Sequence, residues 1–538
     1  MRTQSHRLSK VVKVGATVVV FGLVAGACGS DKNTDTTEPS STTTTEISGE
    51  KPVIGGTLNM GLESAVSTLD PTAALAQPAD KDVALAIYDP LVSFDEDGKF
   101  IPYLAKSVTA SFDLKTWTVV LNPNIKFSDN TPLNADAVIA HWQRMIKPAN
   151  KSQWQKTAAQ HGAPTKTDDL TLVFNMSEPY VGFINDIAGS MGYIPSPTAV
   201  AADPKGFGLK PVGSGPFILQ SFETGGKIVV KKNPSYWKKD KNGNSLPYLD
   251  GINFIPIPES DKRLQALETG DIDLMQTADT STVVAAEEKG LQIQKISGSS
   301  STIILLNTGA EPTNNRLVRQ ALSAATDRQA INEVVYKGAR VVALSGYAPD
   351  SPYRNPEAKQ PSYDPEAAKQ LLAEYGQSVS IILECIATPE AKQITQLIKE
   401  NWEAVGVTVT LKEQEQGAYV ARLYGKKGDY QAACFRSDQF VDPDQLRSSI
   451  GTNGTSNLTL YSNRDVDNYL IEGKSSADFE TRKAAYFKIQ EIIAVDVPTI
   501  FTLYDLFGNV YDADKVGGLP TPEGTSLGAV KLAYVYKK

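Results

Sequence analysis

Ser378-Val-Ser-Ile-Ile-Leu-Glu-Cys385 is a run of apolar and β-branched residues, and this pattern predicts a buried strand. The amphipathic stretch from Gln393 to Val405 predicts a helix that ends at Gly406, a residue type common at helix C-termini. Val407 to Leu411 predicts the next strand. A strand, a helix and a second strand in this order indicate a βαβ unit, so the fold class is predicted to be α/β.

The rest of the chain carries further strand and helix patterns. Asn134 is an N-cap candidate for a helix that runs to Arg144, and the segment 91–102 reads as a hairpin with its turn at Asp97-Gly98. About 490 residues follow Lys51. Because a single hydrophobic core stops growing near roughly 250–300 residues, two or more lobes are expected. Strands are also predicted over 56–61, 116–121, 170–175, 227–232 and 499–504, and helices over 80–88, 315–325, 327–336, 366–375 and 478–495.

The first 27 residues have the organisation of a secretory signal peptide. Basic residues up to Lys13 precede an apolar run from Val14 to Val24, and the small residues Ala25-Gly-Ala27 follow. The apolar run is about half the length of a membrane-spanning helix, which needs roughly 20 residues. The alternative is a short membrane anchor that stays attached.

Cys28 follows this segment directly. Leu23-Val-Ala-Gly-Ala-Cys28 resembles a bacterial lipobox, which implies that the cysteine is lipidated and that the protein is held on the extracytoplasmic face of the cell membrane. The alternative is a chance cysteine near an ordinary cleavage site. Residues 29–51 are mostly Ser, Thr, Asp, Glu and Gly, so 28–51 is predicted to be a lipidated cysteine followed by a disordered tether.

The charge balance excludes one class of partner. The chain has 53 basic and 61 acidic residues, a net charge of −8, and removal of a leader that contains four basic and no acidic residues makes it more negative. Nucleic acids are bound through clustered Lys and Arg, so no nucleic-acid partner is expected. An acidic surface of this kind mainly supports solubility.

The sequence lacks the constellations that most enzymes use. His6 lies in the leader, His141 lies mid-helix and His161 lies in a polar loop, and neither of the last two has metal-ligand spacing. Gly213-Ser-Gly215 is only a fragment of a nucleophile elbow, and no phosphate-binding loop or dinucleotide fingerprint is present. We therefore expect no catalytic residue, no cofactor and no metal site, with a secreted hydrolase as the remote alternative.

Cys385 and Cys434 remain after Cys28 is assigned. Two thiols outside the cytoplasm can form a disulfide. Both residues lie in strand-like segments, so two buried free thiols are an equal alternative.

A series of short motifs carries a family resemblance. The stretch from Ile125 to Val138 is similar to a signature in which an aromatic residue precedes Gly-x-Pro and Ala-x-Asp-Val, with Asn130 here in place of the glycine. In this order and number, the motifs resemble the family 5 extracellular solute-binding proteins of ABC importers, which include dipeptide-, oligopeptide- and nickel-binding proteins. The other motifs are Gly55-Gly-Thr-Leu, Thr68-Leu-Asp-Pro71, Tyr88-Asp-Pro-Leu91, Pro102-Tyr-Leu-Ala105, Gly213-Ser-Gly-Pro-Phe217, Lys232-Asn-Pro-Ser-Tyr-Trp237, Arg263 to Asp273, Leu305-Leu-Asn-Thr308, Arg316 to Leu322 and Asp327 to Ile331.

The resemblance implies a two-lobed periplasmic-binding-protein-like fold of type II, cluster C, with an extra subdomain inserted in the first lobe. Lobe I would comprise residues 52–99, 211–307 and 505–538. The inserted subdomain would comprise 100–210, and lobe II 308–504. Two crossovers between the lobes would form a hinge, and a ligand would favour the closed form.

The resemblance also implies a set of ligand-binding residues. In peptide binders of the family, an aspartate close to an Asp-Pro pair binds the α-ammonium of the peptide, and Asp438 holds the matching position here. The segment lacks the family's tryptophan and has one extra residue before Asp442-Pro443. The alternatives are that Asp438 caps a loop or binds another cation.

Four further residues complete the predicted site. Glu63 and Ser64 follow the first strand, where lobe I lines the cleft; Asn307 lies beside the hinge, and Arg436 is a candidate for binding a carboxylate. The sequence thus predicts a monomeric, lipid-anchored protein that binds peptides and delivers them to an ABC transporter permease. The alternative is the same fold with another small solute, such as a sugar, an opine, a siderophore or a metal chelate.

Overall fold

The computed structural model describes residues 51–538 apart from 74, 76, 96–99, 350, 426–427, 439–441 and 520–528, and it leaves out the side chains of 296–299, 438 and 445. The predicted signal peptide, Cys28 and most of the tether therefore lie outside the described residues. The same holds for the predicted turn at Asp97-Gly98 and for the side chain of Asp438.

The described residues form 19 strands and 15 α-helices. The strands are β1 Thr57–Leu62, β2 Val92–Phe94, β3 Phe100–Pro102, β4 Ala105–Ala110, β5 Thr116–Leu121, β6 Thr165–Lys166, β7 Thr171–Asn175, β8 Phe217–Phe222, β9 Ile228–Lys232, β10 Gly251–Pro256, β11 Leu274–Thr277, β12 Gln292–Leu306, β13 Val341–Val342, β14 Ser380–Ile386, β15 Thr408–Gln414, β16 Ala432–Asp438, β17 Thr499–Tyr511, β18 Val516–Gly517 and β19 Tyr536–Lys537. The helices are α1 Pro78–Ile87, α2 Ala135–Ile146, α3 Gln155–His161, α4 Phe183–Ala188, α5 Pro197–Ala202, α6 Ser260–Thr269, α7 Thr280–Glu288, α8 Arg316–Ala325, α9 Arg328–Tyr336, α10 Pro365–Tyr375, α11 Pro389–Glu403, α12 Gln416–Gly425, α13 Arg447–Ile450, α14 Arg464–Lys474 and α15 Phe479–Asp496.

One mixed sheet runs through both lobes in the order β15-β14-β16-β12-β17-β11-β1-β10-β9-β8, with β13 beside β17. Two long antiparallel strands, β12 and β17, form its centre, and their register shifts between Ser297 and Ser301. On one side β17 pairs with β11 of lobe I, and on the other side β12 pairs with β16 of lobe II from Ser300 to Leu306. The two crossovers between the lobes are therefore continuous strands. The boundary predicted between residues 307 and 308 lies just after β12, and the boundary predicted between residues 504 and 505 lies within β17.

The βαβ unit predicted from the sequence is present in lobe II. β14 and β15 are parallel over their whole length. α11 connects them and begins at Pro389, earlier than predicted, because the Thr388 side chain accepts a hydrogen bond from the Ala391 N–H and caps the helix there. Trp402 of α11 is fully buried against the core of lobe II, and its indole N–H donates to the Leu322 carbonyl.

The inserted subdomain has a sheet and a core of its own. β4, β5, β7 and β6 form a four-stranded antiparallel sheet. α2 packs Trp142 and Val138 into this core, and the Asn134 side chain caps the helix by accepting from the Ala137 N–H. Residues of the hairpin β2–β3 also belong to this core, although 91–94 precede the predicted boundary at residue 100.

A disulfide joins Cys385 of β14 to Cys434 of β16. The ladder between these strands ends at Ala433, so the disulfide extends the connection by one residue beyond the last hydrogen-bonded pair. Of the two alternatives that the sequence left open, the structure has the disulfide. Within the described ranges, no helix combines the length and apolarity that a membrane span requires.

Candidate functional site

The carboxyl ends of three lobe I strands meet at one edge of the sheet. β1 runs parallel to both β10 and β11, so Glu63 and Ser64, which follow β1, lie beside the segments that leave the other two strands. Ligands of open α/β sheets bind in the crevice outside such strand ends. The position predicted for Glu63 and Ser64 is therefore the edge at which this fold class binds ligands.

Arg263 of α6 holds this edge together. Its side chain is buried; its Nε donates to the Gln276 carbonyl at 2.9 Å and its Nη1 donates to the Pro258 carbonyl at 3.0 Å. These bonds tie the end of β10 to the end of β11. They also fix a positive charge close to Glu63.

Glu63 lies between positive charges that come from two parts of the chain. Burial raises the pKa of its carboxyl group above the usual value. The nearby charges of Arg263 and Arg436 and a hydrogen bond with the backbone of Ala278 oppose that rise. Since Arg436 belongs to β16 of lobe II, Glu63 faces the opposite lobe, and the fold brings two of the predicted site residues together.

Asp505 is the centre of a charged network at the hinge. Its carboxylate is only 4% exposed and accepts from Arg436 Nε at 2.6 Å and from Arg340 Nη1 at 2.8 Å. The hydroxyls of Ser300 and Thr302 on β12 also donate to it, at 2.5 and 3.2 Å. A buried carboxylate with this many charge-assisted hydrogen bonds fixes the position of every donor around it.

Arg340 carries this network from lobe II into lobe I. Its Nε donates to the Thr280 hydroxyl at 2.8 Å, and Thr280 is the first residue of α7 in lobe I. Sequence reasoning did not select Arg340 or Asp505. The available signal was that Asp505 is the single charged residue in the apolar segment from Thr499 to Tyr511, and charged residues are rarely buried without a partner.

Arg436 differs from Arg340 in its exposure. The side chain of Arg436 is 57% exposed, whereas that of Arg340 is 5% exposed. The Arg436 side chain is therefore oriented by Asp505 and Ser300 through its Nε, while much of its surface is accessible to a solute.

A cavity of about 190 Å³ lies in lobe II beside Arg436 and Ser437. Ile303 and Leu305 of β12, Phe435 of β16 and Phe501 of β17 contribute to its wall on one face of the sheet. The other face packs on the main core of lobe II through residues such as Ile304. The segments 344–347 and 446–450 close the cavity from the opposite side.

The remaining predicted site residues divide into two cases. The backbone of Asp438 lies at the end of β16 and pairs with Ser300, while its side chain lies outside the described residues. Asn307 is not brought to this group. It is 1% exposed within lobe II, where its amide donates to the Gly428 and Tyr430 carbonyls and its oxygen accepts from the Gly309 N–H. We therefore do not carry Asn307 into the candidate site.

A second contact between the lobes lies away from the hinge. Lys474 at the end of α14 in lobe II binds Glu178 of the inserted subdomain, with 2.8 Å between Nζ and Oε2. The backbone N–H of Val181 also donates to the Lys474 carbonyl at 3.3 Å. The described conformation is therefore one in which the inserted subdomain touches lobe II.

Comparisons with known proteins agree with this architecture. The model of the bacterial extracellular solute-binding proteins, family 5 Middle, matches residues 99–457. The nickel-binding periplasmic protein of Escherichia coli (strain K12) is 30% identical over 364 residues, which are 62% of this chain and 67% of that protein. The glutathione-binding protein GsiB of Pectobacterium atrosepticum is 27% identical over 81% of this chain and 86% of its own length.

A solved structure extends the likeness to the three-dimensional fold. The periplasmic binding protein DppA from Helicobacter pylori, in complex with the peptide STSA, superposes with a TM-score of 0.75 and 25% identity, covering 90% of this chain and 98% of that one. The predicted two-lobed fold and the family resemblance are thereby confirmed. The chain belongs to family 5 of the bacterial extracellular solute-binding proteins, the substrate-binding components of ABC importers.

Proposed function

We propose that this chain is an extracytoplasmic lipoprotein that captures peptides between its two lobes and delivers them to the permease of an ABC transporter. The observation that carries the proposal is the placement of Glu63 and Arg436. They carry opposite charges, come from opposite lobes and interact electrostatically, and Arg436 also lines an apolar cavity of lobe II. A peptide carries an ammonium group, a carboxylate and apolar side chains, so its chemistry is complementary to this arrangement.

In this proposal, Arg436 binds an anionic group of the cargo and Asp438 binds its α-ammonium group. Charge-assisted hydrogen bonds inside a closed cleft are stronger than the same bonds on the surface, because water no longer competes for the charges. Glu63 supplies a second carboxylate on the lobe I side, and Ser64 beside it supplies a hydroxyl group. The main chain of the peptide binds backbone groups, which leaves the side-chain subsites to select the cargo.

Isothermal titration calorimetry of the Asp438→Ala variant with a peptide mixture tests the ammonium site. We expect at least a tenfold loss of affinity with an unchanged melting temperature, because removing one partner of a buried charge pair costs about 2–5 kcal/mol. Asp429→Ala is the matched control, since Asp429 is an exposed aspartate of the same lobe with a side chain that is 65% exposed. Equal affinities of the two variants would refute the role of Asp438.

A second candidate is a non-peptide solute, such as a metal chelate, an opine, a siderophore or a sugar. The 30% identity to a nickel-binding protein supports this candidate. In the part of the chain that the structure describes, no group of three or more His, Cys, Asp and Glu side chains has metal-site geometry, which favours a chelate over a bare ion as cargo. Native mass spectrometry of material purified from the producing cell separates the two candidates, since a ladder of peptide masses supports the first and one defined mass the second.

The proposed anchor at Cys28 has its own test. We expect the wild-type chain to partition with membranes and Cys28→Ser to be released, because two or more acyl chains give stable attachment. Intact mass spectrometry of the membrane fraction reports the lipid directly. A Cys28→Ser variant that stays firmly bound to membranes would show that another segment anchors the protein.

A further inference from the structure

The cavity in lobe II carries an inference about the cargo itself, which rests on the proposed function. We propose that this cavity is a subsite for one large apolar group, such as an aromatic side chain, and that the charged end of the same ligand lies at Arg436. The substrate class is then a small amphipathic molecule, and among peptides it is one with an aromatic or large aliphatic residue near a charged terminus.

The floor of the cavity is a continuous apolar row across three strands. Ile303 of β12 lies opposite Phe435 of β16 on one side and opposite Phe501 of β17 on the other. Both phenylalanines are only partly buried, although the described structure buries most of its large apolar side chains. This apolar surface is exposed inside a concave site, a common property of ligand pockets.

The opposite wall approaches this floor closely. Gly346 lies so near Phe501 that a Cβ atom on residue 346 would meet the ring at 2.9 Å. Any larger side chain at 346 would therefore push into the ring or into the cavity. Leu344, Leu458 and Ile493 add further apolar surface to the walls.

The size of the cavity limits what it can hold. About 190 Å³ is somewhat more than the roughly 150 Å³ of an apolar cavity that binds benzene. One aromatic ring or one branched aliphatic chain fits in this volume, whereas a segment of several peptide residues does not. The remainder of a ligand must therefore lie outside, on the side where Arg436 and Ser437 line the cavity.

The charge of the lining sets the selectivity. Arg436 is the one charged residue among the described residues that line the cavity. A carboxylate or ammonium group inserted past it would lose its hydration without gaining a buried partner, which is costly. Arg436 would in addition repel a lysine or arginine side chain. The lining also carries hydroxyl and amide groups, such as those of Ser448 and Gln490, so the subsite selects neutral groups with a large apolar part and excludes charged ones.

The first arm of the experiment does not depend on peptides. Indole is titrated against the full chain, and binding is followed by ligand-observed NMR for the wild type, for Gly346→Leu and for Ser449→Leu. Ser449 lines the cavity from α13, so the two substitutions fill it from different segments, and at least one of them is expected to fold normally. Thr410→Leu, at an exposed position of β15, is the matched control. We expect both folded cavity variants to lose indole binding and the control to retain it. Equal binding by all four proteins would overturn the subsite.

The second arm uses tripeptides in calorimetry. The wild type is titrated with Ala-Ala-Ala, with the three tripeptides in which one of these alanines is replaced by Phe, and with the three in which one is replaced by Lys. We expect one Phe position to bind about ten to a hundred times more tightly than alanine, from the burial of one aromatic side chain, and no Lys position to gain. Equal binding of Phe and Ala peptides overturns the subsite while the proposed function stands. Failure of all seven peptides refutes the proposed peptide cargo, and the indole arm still decides the subsite.

Discussion

Lobe II contacts the rest of the chain through two groups of charges that differ in their burial. At the hinge, Asp505 and Arg340 are 4% and 5% exposed, and hydroxyl groups satisfy most of their remaining hydrogen-bonding capacity. At the contact with the inserted subdomain, Glu178 is 51% exposed and binds Lys474. Water competes for the Glu178 carboxylate and hardly reaches the Asp505–Arg340 pair, so the two ion pairs produce unequal effects.

The difference suggests a division of roles. The hinge charges are part of the folded core, because Asp505 and its hydroxyl donors Ser300 and Thr302 lie on the two crossover strands themselves. The Glu178–Lys474 pair joins the inserted subdomain to lobe II away from the hinge. We therefore expect it to affect the balance between open and closed forms more than folding.

Removing the hinge carboxylate should have the largest effect. Asp505→Ala leaves the buried Arg340 with only the more distant Glu390 carboxylate, 3.9 Å away, as an ionic partner, and breaking a buried ion pair costs about 3–5 kcal/mol. We expect a marked fall in the melting temperature measured by differential scanning calorimetry, and a smaller fall for Asp505→Asn, which keeps part of the hydrogen bonding. A loss below about 1 kcal/mol would show that the network is not the stabilising centre described above.

The disulfide supports the hinge charges, because it fixes β16, the strand that carries Arg436. It closes a loop with a sequence separation of 49 residues, for which the chain-entropy model gives about 4 kcal/mol. We expect the Cys385→Ser/Cys434→Ser double variant to unfold at lower temperature by a corresponding amount. A reductant should destabilise the wild type in calorimetry and leave the double variant unchanged.

Breaking the second contact should affect binding kinetics more than stability. Glu178→Gln removes the charge of the exposed partner, whose side chain is 51% exposed, and such a pair is worth at most about 1 kcal/mol, so the melting temperature should hardly change. Ligand dissociation in stopped flow should become up to about fivefold faster, and added salt should reduce the difference between the variant and the wild type. An unchanged dissociation rate at low salt would remove this contact from the closing mechanism.

Two glutamates, Glu63 at the lobe I edge of the cleft and Glu178 at the second contact, should respond to pH with opposite signs. The hydrogen bond from Lys474 lowers the pKa of Glu178, so its stabilising contribution is present above the unfolded-state value of about 4.5 and is lost as pH falls below it. Burial raises the pKa of Glu63, so folding loses stability as pH rises from that value through the raised pKa of Glu63.

The difference between wild type and Glu63→Gln in melting temperature, followed from pH 4 to pH 8, measures the second effect. We expect the variant to gain a small stability advantage above the raised pKa while binding cationic ligands less tightly. The variant must be compared with the wild type at each pH because burial also raises the pKa values of Asp82 and Asp89 to about 7. These two groups affect the pH dependence of stability in both proteins. A variant less stable than the wild type at pH 8 would contradict the sign.

Much of the architecture follows from local patterns. The helix capped by Asn134 and the parallel pair β14 and β15 lie close to where their sequence patterns predict them, because caps, glycine termini and apolar runs act within a few residues. Of the two long strands, only the first part of β17, over 499–504, was predicted, and β12 was not predicted. Each passes from one lobe into the other, so its environment changes along its length and no single hydrophobic pattern covers it.

The candidate site divides in the same way. Glu63 and Arg436 were selected from motif positions, and the fold brings them together. Asn307 was selected on the same grounds, but its side chain binds backbone groups of lobe II. Nothing near Asn307 in sequence distinguishes an amide that faces a ligand from one that fixes a loop, because its partners at Gly428 and Tyr430 are more than a hundred residues away.

The α/β class, the family and the residue types available to a ligand could be inferred from the sequence, since these depend on local periodicity and on the order of short motifs. Three features became apparent only in the folded chain: Asp505 and Arg340 join Arg436 at the hinge, Cys385 meets Cys434, and an apolar cavity adjoins Arg436. Each of these features requires strands or loops that are distant in the chain to lie side by side. Such proximity is fixed by the packing of the whole sheet, which no single segment of the sequence specifies.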